Sequence, residues 1–179
     1  MPPLSLLERC AMRNPDGCGF ATPETIYKSL RFTAFVKHLC SLSTDTPAII
    51  HFRLATHGSI CRDNCHPFKD ARSSISFAHN GVLSIEPVND LTDSETAFRF
   101  YFMPIIAQYG LYSIEFESVV KSIIGGSKFA FINQEGNLRM FGKFIKQDGC
   151  YYSNYSFAEM NSLEIKYYAR YRNHKMMQK

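Results

Sequence analysis

The sequence predicts an α+β domain in which sheets stack on one another and helices cover the outside. Three observations lead there. Strand-like segments lie toward both ends of the chain while helical periodicities group in its middle. Fifteen phenylalanines and ten tyrosines, with no tryptophan, point to aromatic-rich strands. The 179 residues show no internal repeat, low-complexity segment or interdomain linker, and that length suits a single domain over residues 1–179 with a core of its own.

Each element follows from local chemistry. Leu4 to Met12 carries Leu6, Leu7 and Cys10 on one side, and Pro2-Pro3 suits its entry because proline is tolerated where amide donors are unpaired anyway. Asn14-Pro15-Asp16-Gly17 is a turn signal that ends it. Cys18 to Ala21 and Thr25 to Leu30 read as short strands around Thr22-Pro23-Glu24. Phe32, Phe35, Val36 and Leu39 recur at helical spacing and predict a helix from Phe32 to Leu42. Pro47 to Leu54 and Ser73 to His79 are apolar strands, separated by a polar loop from His57 to Arg72. Thr92 with Glu95 forms a capping box for a helix running to Tyr109. Ile114 to Ile124 is another helix, closed by Gly125-Gly126. Lys128 to Asn133 and Leu138 to Phe141 form a hairpin about Gln134-Glu135-Gly136-Asn137. Phe144 to Asp148 pairs with Cys150 to Asn154, and a last strand spans Leu163 to Tyr171.

Composition narrows the class further. Hydrophobic residues make up 45% of the chain and charged residues 20%, as in an ordinary soluble globular protein. No apolar run approaches the roughly 20 residues of a membrane helix, and the N-terminus lacks the regions of a signal peptide. The six cysteines show no dense framework and read as reduced thiols in a cytoplasmic setting. The net charge of +4 is uneven: residues 166–179 carry five Lys or Arg and no acid, against fifteen basic and sixteen acidic residues elsewhere. The basic character therefore belongs to the tail. Its interleaved Lys166-Tyr167-Tyr168-Ala169-Arg170-Tyr171-Arg172 could serve single-stranded nucleic acid. An edge strand whose cations discourage aggregation is the favoured reading, and nucleic acid is not an expected partner.

The chemistry concentrates at two strand ends. His51-Phe52-Arg53-Leu54-Ala55-Thr56-His57-Gly58 places a guanidinium and a hydroxyl where an apolar strand gives way to a loop. Some twenty residues later, Ser76-Phe77-Ala78-His79-Asn80-Gly81 closes a second strand on Asn-Gly. Such a pair can hold a small anion and an oxyanion together. Asn14-Pro15-Asp16-Gly17-Cys18-Gly19 and Asp93-Ser94-Glu95 flank them in the chain. In this order and spacing the four segments resemble the glutaminase domain of class II glutamine amidotransferases. Asn64, His66-Pro67-Phe68, Lys128 to Asn133 with Gly136-Asn137-Leu138, and Tyr151-Tyr152-Ser153-Asn154 add to the resemblance, which covers residues 4 to 157.

The resemblance implies an N-terminal-nucleophile hydrolase fold, a four-layer αββα sandwich, and hydrolysis of the glutamine side-chain amide with release of ammonia. Arg53, always charged and two-pronged, would hold the substrate α-carboxylate, with Thr56 and His57 completing that pocket. Asp93 would hold the α-ammonium. The Asn80 side-chain amide and the Gly81 backbone N–H would form the oxyanion hole, where losing one donor typically costs about 10²–10³ in rate. Glutamine or glutamate is the expected ligand, with an ammonia-accepting synthase subunit as a further partner. No cofactor or metal is expected.

Blander readings stand beside these. Asp93 alone is equally a helix cap, Asn80-Gly81 a hairpin turn, and Arg53 a strand-end salt bridge. His57, Cys61, Cys65 and His66 have the residue types of zinc ligands, but their spacing departs from finger patterns. His66 is expected to order the loop, and His51 and His79 to be satisfied core histidines.

The resemblance also implies a nucleophile: a cysteine at the mature N-terminus, on a strand before the first helix, whose free α-amine accepts the thiol proton. Here only Met1-Pro2-Pro3 precedes that helix. Cys10 and Cys18 read as small buried hydrophobes, and Cys40, Cys61, Cys65 and Cys150 are no better placed. The sequence reads first as a chain shortened by a Met-Cys strand, and second as a non-catalytic glutamine-binding or regulatory module.

Overall fold

A computed structural model describes residues 1–56 and 58–177, with side-chain surroundings to residue 170. Strand β1 (Cys18–Ala21) lies between β2 (Ile26–Ser29) and β3 (Ile49–Phe52), antiparallel to both. A second antiparallel sheet runs β4 (Phe68–Lys69), β5 (Ser76–Asn80), β6 (Lys128–Ile132), β7 (Leu138–Phe141). Strands β8 (Ile145–Gln147) and β9 (Cys150–Tyr152) form a separate hairpin.

Side-chain alternation decides what each sheet covers. In the second sheet Phe77 lies opposite Phe131 and His79 opposite Phe129, while Ala78 faces Ala130 in the intervening row. The phenylalanine face packs against the π-helical turn at Ala97–Phe102 and against helix α5 (Ile114–Ile123), burying Phe98, Phe102 and Phe116 with Phe77, Phe129 and Phe131. Most of these rings meet edge-on or tilted, at centroid separations such as 4.7 Å for Phe77–Phe131, while Phe77 and Phe98 stack at 5.4 Å. The small-residue face meets the first sheet through Ala21, Ile49, Ala78 and Ile132. Beyond the first sheet, helices α1 (Leu4–Arg13) and α2 (Phe32–Leu39) bury Leu7, Phe35 and Leu39 against Cys18 and Phe20. The result is a mixed α/β domain with its largest core on the aromatic side.

Helix α3 (Asp93–Thr96) opens the central helical run, which continues through the π-helical turn into α4 (Met103–Tyr109). Across that turn Phe98 and Phe102 are buried while Arg99, Phe100 and Tyr101 stay exposed. The β6–β7 hairpin forms with the predicted strands, and α2 stops three residues short of Leu42. Strand β3 is trimmed to Ile49–Phe52. The two-residue β4 lies within the predicted loop, too short to leave a periodic signal.

One predicted element is overturned. Leu163 to Tyr171 is not a strand: it lies within helix α6 (Ser162–Met177). A reciprocal cap starts it. The Asn161 Oδ1 accepts from the Leu163 and Glu164 amides at 3.0 Å each, and the Glu164 Oε2 accepts from the Asn161 amide at 3.0 Å. Asn-x-x-Glu is a capping box, and it outweighs the tyrosines that suggested a strand. The tail is therefore not an edge strand. Only Glu164 and Tyr168, one turn apart, are half-buried through residue 170. Among the described residues no helix is long and apolar enough to cross a membrane, and all six cysteines are free thiols.

Phe131 is fully buried at the centre of the aromatic cluster. Phe131→Ala should cost about 3–5 kcal/mol of stability, read as a lower urea midpoint with an unchanged denaturant slope.

Candidate active site

The Asp16-Gly17 turn fixes the end of β3. The Arg53 amide donates to the Gly17 carbonyl at 2.8 Å, the Asp16 amide donates to the Arg53 carbonyl at 2.9 Å, and the Asp16 Oδ2 accepts from the Ala55 amide at 2.9 Å. Gly17 is required there: its φ is +136°, and a Cβ would lie 2.3 Å from the Cys65 Sγ. Arg53 is 5% exposed, and its Nη1 donates to the Ser59 carbonyl at 2.9 Å. The Asn64 Nδ2 donates to the same carbonyl at 3.0 Å, so the loop that follows β3 is organised around the guanidinium.

The second strand end brings Asn80 and Gly81. Gly81 has φ +140°, and a Cβ would stand 2.2 Å from the Ser127 Oγ, so only glycine lets the backbone approach so closely. The chain then runs irregularly to α3 instead of reversing into a hairpin, and β5 pairs with β4 before it and with the distant β6. At the start of α3 the capping oxygen is Thr92 Oγ1, which accepts from the Glu95 amide at 3.2 Å. That leaves the Asp93 carboxylate for other work. Its Oδ2 accepts from the Leu83 amide at 2.9 Å, and its Oδ1 from the Ser94 amide at 2.7 Å and the Ser94 hydroxyl at 3.1 Å.

Arg53, Thr56, Asn80, Gly81 and Asp93 line one cavity of about 400 Å³. Five of the six predicted site residues therefore come together, and His57 lies outside the described residues. The cavity also takes in Arg13, Asn14, Ser94, Asn154, Ser156 and Tyr168. Tyr168 was hidden from sequence reasoning because its segment was read as a strand. Asn14 belongs to a turn that the sequence did single out. No cysteine is among the described lining residues.

Three histidines stand at the floor. The His51 and His66 ring centroids are 4.4 Å apart, and those of His66 and His79 6.3 Å. His66 and His79 are buried and His51 half-buried, and the expectation that His51 and His79 are satisfied core histidines holds for only one nitrogen of each ring. His51 Nδ1, both ring nitrogens of His66 and His79 Nε2 have no hydrogen-bond partner. Removal from water disfavours the imidazolium, which holds His51 and His79 down to about 4 and His66 well below its ordinary value. Burial likewise raises the Cys10 thiol to about 11 and the Cys18 thiol to about 12, so neither is a ready nucleophile. The Cys65 thiol is spent on the Cys61 carbonyl at 3.5 Å, and no group of three or more metal-binding side chains forms among the described residues.

A buried guanidinium and a carboxylate around one cavity, with an amide and a glycine strand end beside them, are the parts from which a site for a zwitterionic amino acid is built. The chain belongs to the class II glutamine amidotransferases, whose family model matches residues 24–141. It is similar to glutamine–fructose-6-phosphate aminotransferase (isomerizing) of Methanococcus maripaludis, with 36% identity over 83 residues. That match covers 44% of this chain and 14% of the relative. The enzyme of the same name from Methanocaldococcus jannaschii is 47% identical over 32 residues, 18% of this chain and 3% of the relative. The chain thus corresponds to a small part of each relative's length.

The histidines make stability pH-dependent. Their folded pKa lies below the ordinary value of 6.5, so between about 6.5 and 4 the unfolded chain binds more protons. Stability from this source is full above 6.5 and falls as pH drops toward 4. Thermal melts should show that decline, and His51→Asn should make it shallower.

Proposed function

We propose that this domain binds glutamine and, when a strand bearing an N-terminal cysteine completes it, hydrolyses the side-chain amide to glutamate and ammonia. The observation that carries the reading is the convergence of Arg53, Asp93 and Asn80-Gly81 on one cavity. Arg53 holds the α-carboxylate with Thr56 and His57, Asp93 holds the α-ammonium, and the Asn80 amide and Gly81 N–H receive the tetrahedral oxyanion. The stacking of the two sheets between helices supports a four-layer αββα arrangement of the N-terminal-nucleophile hydrolase type. The six free thiols support a cytoplasmic setting.

One feature of the fold supports a place for such a strand. Strand β3 lies at one edge of its sheet, and a second cavity of about 480 Å³ is lined by residues of β3 and by Cys150–Asn154. A strand in that space would pair with the edge of β3 and bring its first residue beside Asn80, which lines both cavities. The nitrogen acceptor would belong to a synthase domain or subunit, as the length and names of the relatives suggest. No cofactor is needed for amide hydrolysis by this route.

A second reading rests on the lining itself. Without a cysteine among the described residues at the pocket, this domain alone would be a glutamine-binding module without turnover. Calorimetry with glutamine and glutamate tests binding. Arg53→Lys should weaken it about tenfold or more, since a point charge cannot replace a bidentate fork, and Asp93→Asn should do the same. Unchanged affinity in both variants would remove this pocket from consideration. Ammonia release after addition of a Met-Cys strand, abolished by Cys→Ala in that strand, separates the enzyme from the module.

A further inference from the structure

The hydrogen bonds around Asp93 continue past it. Ser94 is 3% exposed, and its Oγ lies 3.1 Å from the Asp93 Oδ1 and 2.8 Å from the His79 Nδ1. A hydroxyl has one proton to give, and a carboxylate can only accept. With that proton on the Asp93 side, His79 must donate through Nδ1–H to the Ser94 oxygen, leaving Nε2 a bare acceptor. The other tautomer would bury an Nε2–H, and Nε2 has no partner. An orphaned buried N–H is rarer and costlier than an under-used acceptor. Gly81 stands close by, where a Cβ would be 3.1 Å from His79 Nε2.

We propose that Ser94 and His79 are positioning residues that couple the ammonium-binding carboxylate to the oxyanion strand end. The proposal rests on the reading of the pocket given above. The Ser94 amide and hydroxyl hold the Asp93 Oδ1 while the Leu83 amide holds Oδ2, and the hydroxyl is the member of this set that ties the carboxylate's orientation to the His79 ring. His79 receives that constraint through its ring and transmits it through the backbone, since the next two residues are Asn80 and Gly81. Its carbonyl is itself tied, accepting from the His51 Nε2 at 3.1 Å. The two ends of the pocket are thus set by one buried chain of donors and acceptors, in which the loss of one hydroxyl is felt at both.

Two measurements test this. In ¹⁵N-labelled protein at neutral pH without ligand, the His79 ring should be in the Nδ1–H form, and Ser94→Ala should shift it toward Nε2–H. An Nε2–H ring in the unaltered protein would overturn the relay and needs no variant to fold. Calorimetry then compares glutamate with glutarate, which has the two carboxylates and no ammonium. Ser94→Ala should weaken glutamate about tenfold, the scale of a hydrogen bond to a charged group, while leaving glutarate unchanged, and Ser94→Thr should restore glutamate. Equal weakening of both ligands would mean a merely structural serine. If the unaltered protein binds no glutamate, the proposed function fails, and the His79 tautomer still decides the relay.

Discussion

The bond from the His51 ring to the His79 carbonyl crosses from one sheet to the other, and the pocket depends on that crossing. It is possible only because small residues line the space between the sheets. Ala21, Ala78 and Ala130 let the two backbones come near, while the phenylalanines are turned to the opposite face. The ends of β3 and β5 then fall side by side, although they lie 28 residues apart in the chain. Arg53 and Asn80 are brought to one cavity by this geometry before any ligand arrives. Preorganised donors are what make such sites effective, because little has to move when charge develops.

That arrangement has a cost, carried by the histidines. Four ring nitrogens without partners in a buried place are an expense that a purely structural core would avoid, since apolar side chains of similar size could fill the same room. The rings stay neutral at physiological pH because the interior disfavours their charge. Neutral imidazoles keep the neighbourhood of Asp93 and Arg53 free of a competing cation.

Much of this was legible from residues. The β6–β7 hairpin announced itself through alternation broken by Glu135-Gly136-Asn137, and α3 through Thr92 and Glu95. Arg53 and Asn80 at the strand ends and Asp93 at the start of α3 were singled out by the resemblance of four segments taken together, and the fold brings all three to one cavity. The C-terminal helix could not be read the same way. Its side chains show no apolar face, and Leu163, Ile165 and Tyr167 remain exposed, so no periodicity marks it and only the Asn161–Glu164 cap gives it away. Nor did any local pattern reveal that both ring nitrogens of His66, and one each of His51 and His79, lack partners. Satisfaction of a buried nitrogen is a property of distant neighbours, which no sequence window contains.

Arg13 draws both ends of the domain to the same wall of the pocket. From α1 it donates to the Ser156 carbonyl at 2.9 Å and the Ala158 carbonyl at 2.7 Å, and it pairs with Glu164 of α6 at 3.2 Å. One turn beyond Glu164, Tyr168 reaches the cavity. For anyone handling this protein, the geography has a practical side. Because Tyr168 of α6 lines the cavity, a purification handle or surface linker joined to that helix would act on an element of the pocket wall. The turn at Gly110 has open space where a side chain would stand and is not among the residues that line the cavity, so it is a place to anchor the domain without altering the pocket wall.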